Sequence, residues 1–192
     1  FWMLVGMVTA AHCQQKKCWR LWIRRPSSLP ATITKNQPEP MNNDRLRIGI
    51  DLGWTVKGHK PTNERDLPAP DSFRVISELV RRGDVVYIIS KVTSEQKARA
   101  EKWLQDYDFF NKTGVKPENL YFCFERKDKS LFVKALGIKM MIDDRAEVMA
   151  HLDYDVIKFL INPDADDLGR HKDHLFNTKI VKDWLEIERA LF

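Results

Sequence analysis

From Arg45 onward, apolar and polar positions follow two alternating rhythms. "RIGIDL", "VVYIIS", "LYFCF", "KMMID" and "VIKFLI" are short, nearly unbroken apolar runs. Such runs mark strands covered on both faces. Longer stretches with helical spacing lie between them. "PDSFRVISELVRRGD" sets Phe73, Ile76, Leu79 and Val80 on one face and stops at Gly83. "TSEQKARAEKWL" opens with Thr93 and Gln96 at capping-box spacing and offers Ala100, Trp103 and Leu104 as an inner face. "DKSLFVKALG" predicts a short helix with Asp128 as N-cap and Gly137 as its end. "AEVMAHL" predicts another. "TKIVKDWLEIERALF" predicts a last helix with Val181, Trp184, Leu185, Glu188 and Leu191 along one side. Strands alternating with helices predict an α/β fold: a three-layer α/β/α sandwich on a mostly parallel, five-stranded, Rossmann-like sheet.

Charge divides the chain at the point where this rhythm begins. Residues 1–40 hold six basic residues (Lys16, Lys17, Arg20, Arg24, Arg25 and Lys35) against Glu39, whereas the remainder balances 26 basic with 26 acidic residues. The neutral remainder carries no electrostatic footprint that favours nucleic acid as a partner. The apolar start "FWMLVGMVTAA" is 11 residues long, short of the ~20 needed to span a bilayer. Residues 1–40 read as a disordered or artefactual extension ahead of a domain at 41–192, or as an Arg- and Ser-bearing mitochondrial transit peptide. A signal peptide fits poorly, because the charge follows the apolar run. Cys13 and Cys18 lack the further ligands of a zinc site, and Cys123 stands alone in an apolar run. A reducing, cytoplasmic setting is the expectation, or a mitochondrial one if the transit reading holds.

The chemistry gathers at strand ends. In an open parallel sheet, ligands bind outside the carboxyl ends of the strands. Strand one ends at Asp51, strand two at Ser90, and strand four at Asp143 and Asp144, while Lys129 opens the helix before strand four. Three carboxylates at one edge repel one another unless a cation sits among them. Mg²⁺ suits oxygen ligands of this kind, together with substrate phosphate.

In this order, "DLGWTV" from Asp51, "VVYIIS" ending on Ser90, Lys129 and "MIDDR" resemble the four motifs of the haloacid dehalogenase-like (HAD) superfamily over residues 47–161. The resemblance implies Asp51 as the nucleophile that accepts a phosphoryl group. It implies Thr55 at the threonine position of motif one, Ser90 as the phosphate-binding hydroxyl and Lys129 as the charge-neutralising lysine. Asp143 and Asp144 would hold Mg²⁺ with Asp51 and the backbone carbonyl of Gly53. Lys91, beside Ser90, is a further phosphate contact, and Arg145 a substrate contact. "IDDR" is also similar to motif four of capless members acting on protein or polynucleotide phosphates. The bacterial receiver domain pairs its acids after strand one and places its lysine last, the reverse of the order here.

One position departs from the pattern. Gly53 stands where phosphatases of this superfamily carry a second Asp, the general acid and base, a function worth ~10²–10⁴ in rate. Its loss leaves three outcomes: a slow or leaving-group-restricted enzyme, substitution by Glu64 or Asp66, or a site that binds without turnover. The gaps from Asp51 to Ser90 and from Ser90 to Lys129 are 39 residues each, too short for a substantial cap domain. An open site favours bulky, including macromolecular, phosphorylated substrates.

Overall fold

The computed structural model describes residues 45–58 and 67–192. Cys13, Cys18, Glu64, Asp66 and the expectations for residues 1–40 lie outside the described residues. Six strands form one parallel sheet in the order β3-β2-β1-β4-β5-β6. They are β1 (Arg47–Ile50), β2 (Val85–Lys91), β3 (Leu120–Cys123), β4 (Met140–Asp143), β5 (Ile157–Ile161) and β6 (Thr178–Val181). The helices are α1 (Ser72–Arg82), α2 (Ser94–Asp106), α3 (Phe109–Thr113), α4 (Lys129–Leu136), α5 (Ala146–Ala150), α6 (Ala165–His171) and α7 (Trp184–Leu191). The three-layer, Rossmann-like α/β expectation is met. Among the described residues there is no large cap.

Alternation along the strands sends side chains to two cores. Ile48 and Ile50 of β1, Val86 and Ile88 of β2, and Met140 and Ile142 of β4 pack with α1, α2, α3 and α7. Ile89, Met141 and Leu160 face the opposite way, toward Val133 of α4 and Ala146 and Met149 of α5. Gly49 falls on that second face, where a Cβ would come within 2.7 Å of the Met141 sulfur. The absent side chain is what lets β1 and β4 carry this packing. Trp103 and Trp184 are core residues, and Cys123 is a buried free thiol.

Local signals held in α2, where Thr93 and Gln96 form the reciprocal capping box, and at Gly83 and Gly137, which end α1 and α4 at positive φ. Three expectations are corrected. The sheet has six strands, not five. The last helix does not begin at Thr178: "TKIV" is the edge strand β6, and α7 starts at Trp184 after Asp183, whose carboxylate accepts the Glu186 N–H at 2.9 Å. Val181 therefore reaches the core from a strand, while Trp184 and Ile187 reach it from the helix. Asp128 does not cap α4. Its carboxylate turns back to the Glu125 N–H at 3.2 Å, closing the 3₁₀ turn Arg126–Asp128.

Candidate active site

Strand order alone brings the strand-end residues together. β1 is central, with β2 on one side and β4 on the other, so Asp51, Ser90 and Asp143 leave the sheet side by side. The Asp51 N–H extends the ladder to the Ile142 carbonyl at 2.9 Å. The chain then makes a wide turn over Leu52–Val56, closed by the Lys57 N–H on the Leu52 carbonyl at 3.0 Å. The Trp184 indole N–H clamps this turn from behind, donating to the Thr55 carbonyl at 2.9 Å.

Lys129, at the start of α4, reaches back into the cluster and is only 2% exposed. Its Nζ lies 2.5 Å from Asp51 Oδ1 and 2.6 Å from Asp143 Oδ2. The other Asp143 oxygen accepts the Arg145 N–H at 3.0 Å. Asp144 pairs with the Arg145 guanidinium at 3.2 Å. Asp167 of α6 holds the segment after these acids: its carboxylate accepts the Ala146 N–H at 2.8 Å and fixes the start of α5.

The charges do not balance. Asp51, Asp143 and Asp144 are all buried and can bring one carboxylate oxygen each within 4.8 Å of the others, while the Lys129 ammonium contacts two of them. Burial, with Asp143 alongside, pushes the Asp51 carboxyl up to about 6 even though Lys129 opposes the shift. Burial, then the Asp143 and Asp51 charges, pushes the Asp144 carboxyl up to about 8. Burial works against the Lys129 ammonium, but Asp143 and Asp51 hold it above the usual lysine range. An all-oxygen donor set with excess negative charge is the chemistry that a hard divalent cation satisfies, so these residues fit Mg²⁺.

Above the cluster opens a cleft of about 270 Å³, lined by Asp51, Gly53, Trp54, Ser90, Lys91 and Gln96, and by Arg126, Lys129, Asp144 and Arg145. The expected residues Asp51, Gly53, Ser90, Lys91, Lys129, Asp144 and Arg145 thus share one cleft. Asp143 lies beneath it, fully buried. Thr55 is placed elsewhere. Its hydroxyl is buried behind the turn without a hydrogen-bond partner, and it does not line the cleft.

Sequence reasoning assigned no site role to Trp54, Arg126 or Asp167, and gave Gln96 only its part in the capping box of α2. Trp54 carried one signal, its place inside motif one. It adopts φ 61°, ψ 1°, a left-handed conformation that costs a bulky residue roughly 1–2 kcal/mol. The Arg145 guanidinium lies 5.0 Å from the centre of its ring. Arg126 and Asp167 carried no local signal, and the capping-box signal of Gln96 said nothing of the cleft, since only the folded chain brings them here.

No protein-family model and no curated protein matches the chain. Among solved structures it is similar to the D,D-heptose 1,7-bisphosphate phosphatase from B. bronchiseptica complexed with magnesium and phosphate. The TM-score is 0.54 at 9% identity, covering 76% of this chain and 98% of that one. A predicted phosphatase from Clostridium acetobutylicum matches at TM-score 0.45 and 14% identity, over 64% of this chain and 58% of that one. A de novo designed Rossmann 3x3 protein matches at 0.42 and 12%, over 76% and 92%. At 9% identity the likeness to the heptose bisphosphate phosphatase is one of fold alone, a parallel sheet flanked by helices.

Proposed function

We propose that the chain is a Mg²⁺-dependent phosphohydrolase of the HAD type, acting on a phosphate ester through Asp51. The observation that carries the reading is a cluster of three buried carboxylates, two of them on the Lys129 ammonium, at the floor of an open cleft. The catalytic domain is residues 41–192, with residues 1–40 as a separate extension.

In this reading an Asp51 oxygen attacks phosphorus. The bond to the leaving oxygen breaks with its electron pair, giving an aspartyl-phosphate that water then hydrolyses. Lys129 orients the Asp51 carboxylate through its 2.5 Å contact and limits charge repulsion with Asp143. Ser90 and Lys91 take the phosphoryl oxygens. Asp51, Asp143, Asp144 and the Gly53 carbonyl would hold Mg²⁺, which when bound supplies positive charge against the carboxylates and the phosphoryl oxygens. The Thr55 carbonyl, held by the Trp184 indole, fixes from behind the turn that presents Asp51.

Gly53 supports a second reading, a domain that binds a phosphorylated partner without efficient turnover. Phosphate release from an aryl phosphate, whose leaving group needs little protonation, separates the two. The hydrolase reading predicts activity that needs Mg²⁺ and disappears in Asp51→Asn, a folded protein. Absence of release from the folded wild-type chain with Mg²⁺ sinks it in favour of the binding domain.

A further inference from the structure

The short helix α5 does not cap itself. Its N-cap position is Arg145, extended at φ −105°, ψ 118° and without a side-chain cap bond. A guanidinium carries donors only, so it cannot accept an N–H from the helix start. Arg145 lines the cleft instead, paired with Asp144 at 3.2 Å and 5.0 Å from the centre of the Trp54 ring. The acceptor for the Ala146 N–H comes from 21 residues further along the chain: Asp167 Oδ2, at 2.8 Å. Asp167 is 3% exposed. Its other oxygen lies 3.2 Å from His171 Nδ1, and its own N–H is held by the Asp164 carboxylate at 3.0 Å. The Arg170 guanidinium stands further off, at 4.0 Å, on a mostly exposed side chain.

We infer that Asp167 is a positioning residue for the acids at the end of β4, an inference that rests on the phosphohydrolase reading. Two carboxylates pin this stretch of chain at consecutive amides. Asp143 Oδ1 takes the Arg145 N–H at 3.0 Å, and Asp167 takes the Ala146 N–H. Asp144 and Arg145 are the residues between Asp143 and Ala146, so the two pins set their backbone. That backbone aims the Asp144 carboxylate at Asp51 and Asp143 and lays Arg145 along the cleft wall. Asp167 does not line the cleft. It acts on the site through the Ala146 amide.

Capping alone does not account for this residue. The helix it caps has five residues, and one amide hydrogen bond does not offset the cost of taking a carboxylate out of water. What the pin secures at the site is larger. Mg²⁺ demands near-ideal octahedral geometry, so an acid that drifts loses its place around the ion. Groups that orient metal ligands without touching the metal carry roughly 10–100-fold of affinity. The working edge of the sheet thus extends past β1, β2 and β4. The segment after β5 supplies no ligand but holds one in place, through Asp164, Asp167 and His171.

The test is a calorimetric titration of the folded full chain with Mg²⁺, at a temperature well below unfolding, beside the metal-free Tm. Asp167→Ala is expected to weaken Mg²⁺ binding by roughly tenfold or more. Asp167→Asn, whose amide oxygen still accepts the Ala146 N–H, is expected to recover most of that loss. Asp167→Glu keeps the charge but lengthens the arm, and is expected to weaken binding as well; it decides the matter where Asp167→Ala does not fold. Alanine and glutamate variants that lose Tm but bind Mg²⁺ as the wild type does overturn the inference and leave the phosphohydrolase standing. So does an asparagine variant as weak in Mg²⁺ as the alanine one, since the hydrogen bond to Ala146 is then not what matters. A folded wild-type chain that takes up no Mg²⁺ overturns both.

Discussion

Asp84 lies where β2 begins and Asp51 where β1 ends, and both carboxylates are buried. Asp84 accepts the Leu46 N–H at 2.9 Å and pairs with Arg82 through two contacts, at 2.6 and 2.8 Å. One acid meets one guanidinium and one amide, and it ties the entry of β1 to the entry of β2. At the exit, two acids share one lysine and a third, Asp144, pairs with Arg145 at the cleft wall. Burying charge without matching it is costly, and the cost is visible as carboxyl groups pushed up at Asp51 and Asp144. The same residue type serves as a brace at one end and as reactive, cation-seeking charge at the other. What differs is the completeness of its partners.

Removing Lys129 breaks this contrast most severely. Lys129→Met leaves Asp51 and Asp143 facing each other without the ammonium, and is expected to lower stability by roughly 3–5 kcal/mol. Mg²⁺ restores part of the loss, which denaturant unfolding with and without the ion measures. At the other end, Asp84→Asn removes the guanidinium's charge partner and costs roughly 2–3 kcal/mol. Mg²⁺ recovers none of it, and turnover per folded molecule is unchanged. A Mg²⁺ response equal in the two variants would erase the distinction.

The comparison also sets a sign for pH. Asp51 and Asp144 titrate higher in the folded chain, about 6 and about 8, than the ordinary 3.8. Between about pH 4 and 8 the folded state therefore binds more protons than the unfolded state. Metal-free stability falls as pH rises through that window, at about 1.4 kcal/mol per pH unit for each proton of difference. Below the window the penalty is absent. Thermal unfolding from pH 5 to 8 should show Tm falling in chelator, and the fall removed by Mg²⁺.

The smallest effect belongs to Thr55. Its buried hydroxyl has no hydrogen-bond partner, so Thr55→Val is expected to stabilise by up to about 1 kcal/mol and to change turnover only a few-fold. A large loss of turnover would give the hydroxyl a direct part in the chemistry.

Much of the exit edge was legible because it depends on order rather than detail. Once apolar runs end on Asp51, Ser90 and Asp143, a parallel sheet with β1 at its centre must line them up. Lys129 was legible for the same reason, as the first residue of the helix feeding β4. What escaped was set by neighbours distant in sequence. β6 was missed because Val181, Trp184 and Leu191 happen to match a helical spacing across a strand, a turn and a helix; the β-branched "TKIV" was the contrary signal. α3 and α6 are too short for periodicity to mark. Thr55 follows a motif position, but the wide turn and the Trp184 clamp aim it inward. Arg126 and Asp167 enter the site region only through tertiary packing, which no local pattern encodes.

The central claim is that Asp51 becomes phosphorylated. With no second Asp to activate water, the aspartyl-phosphate should be slow to hydrolyse and should accumulate. Acid quenching during turnover with Mg²⁺, followed by peptide mass mapping, reads this directly. The account predicts a phosphoryl group on the peptide carrying Asp51, lost on treatment with hydroxylamine and absent from Asp51→Asn. Phosphate release that continues in Asp51→Asn, or a phosphoryl group on another residue, would contradict it.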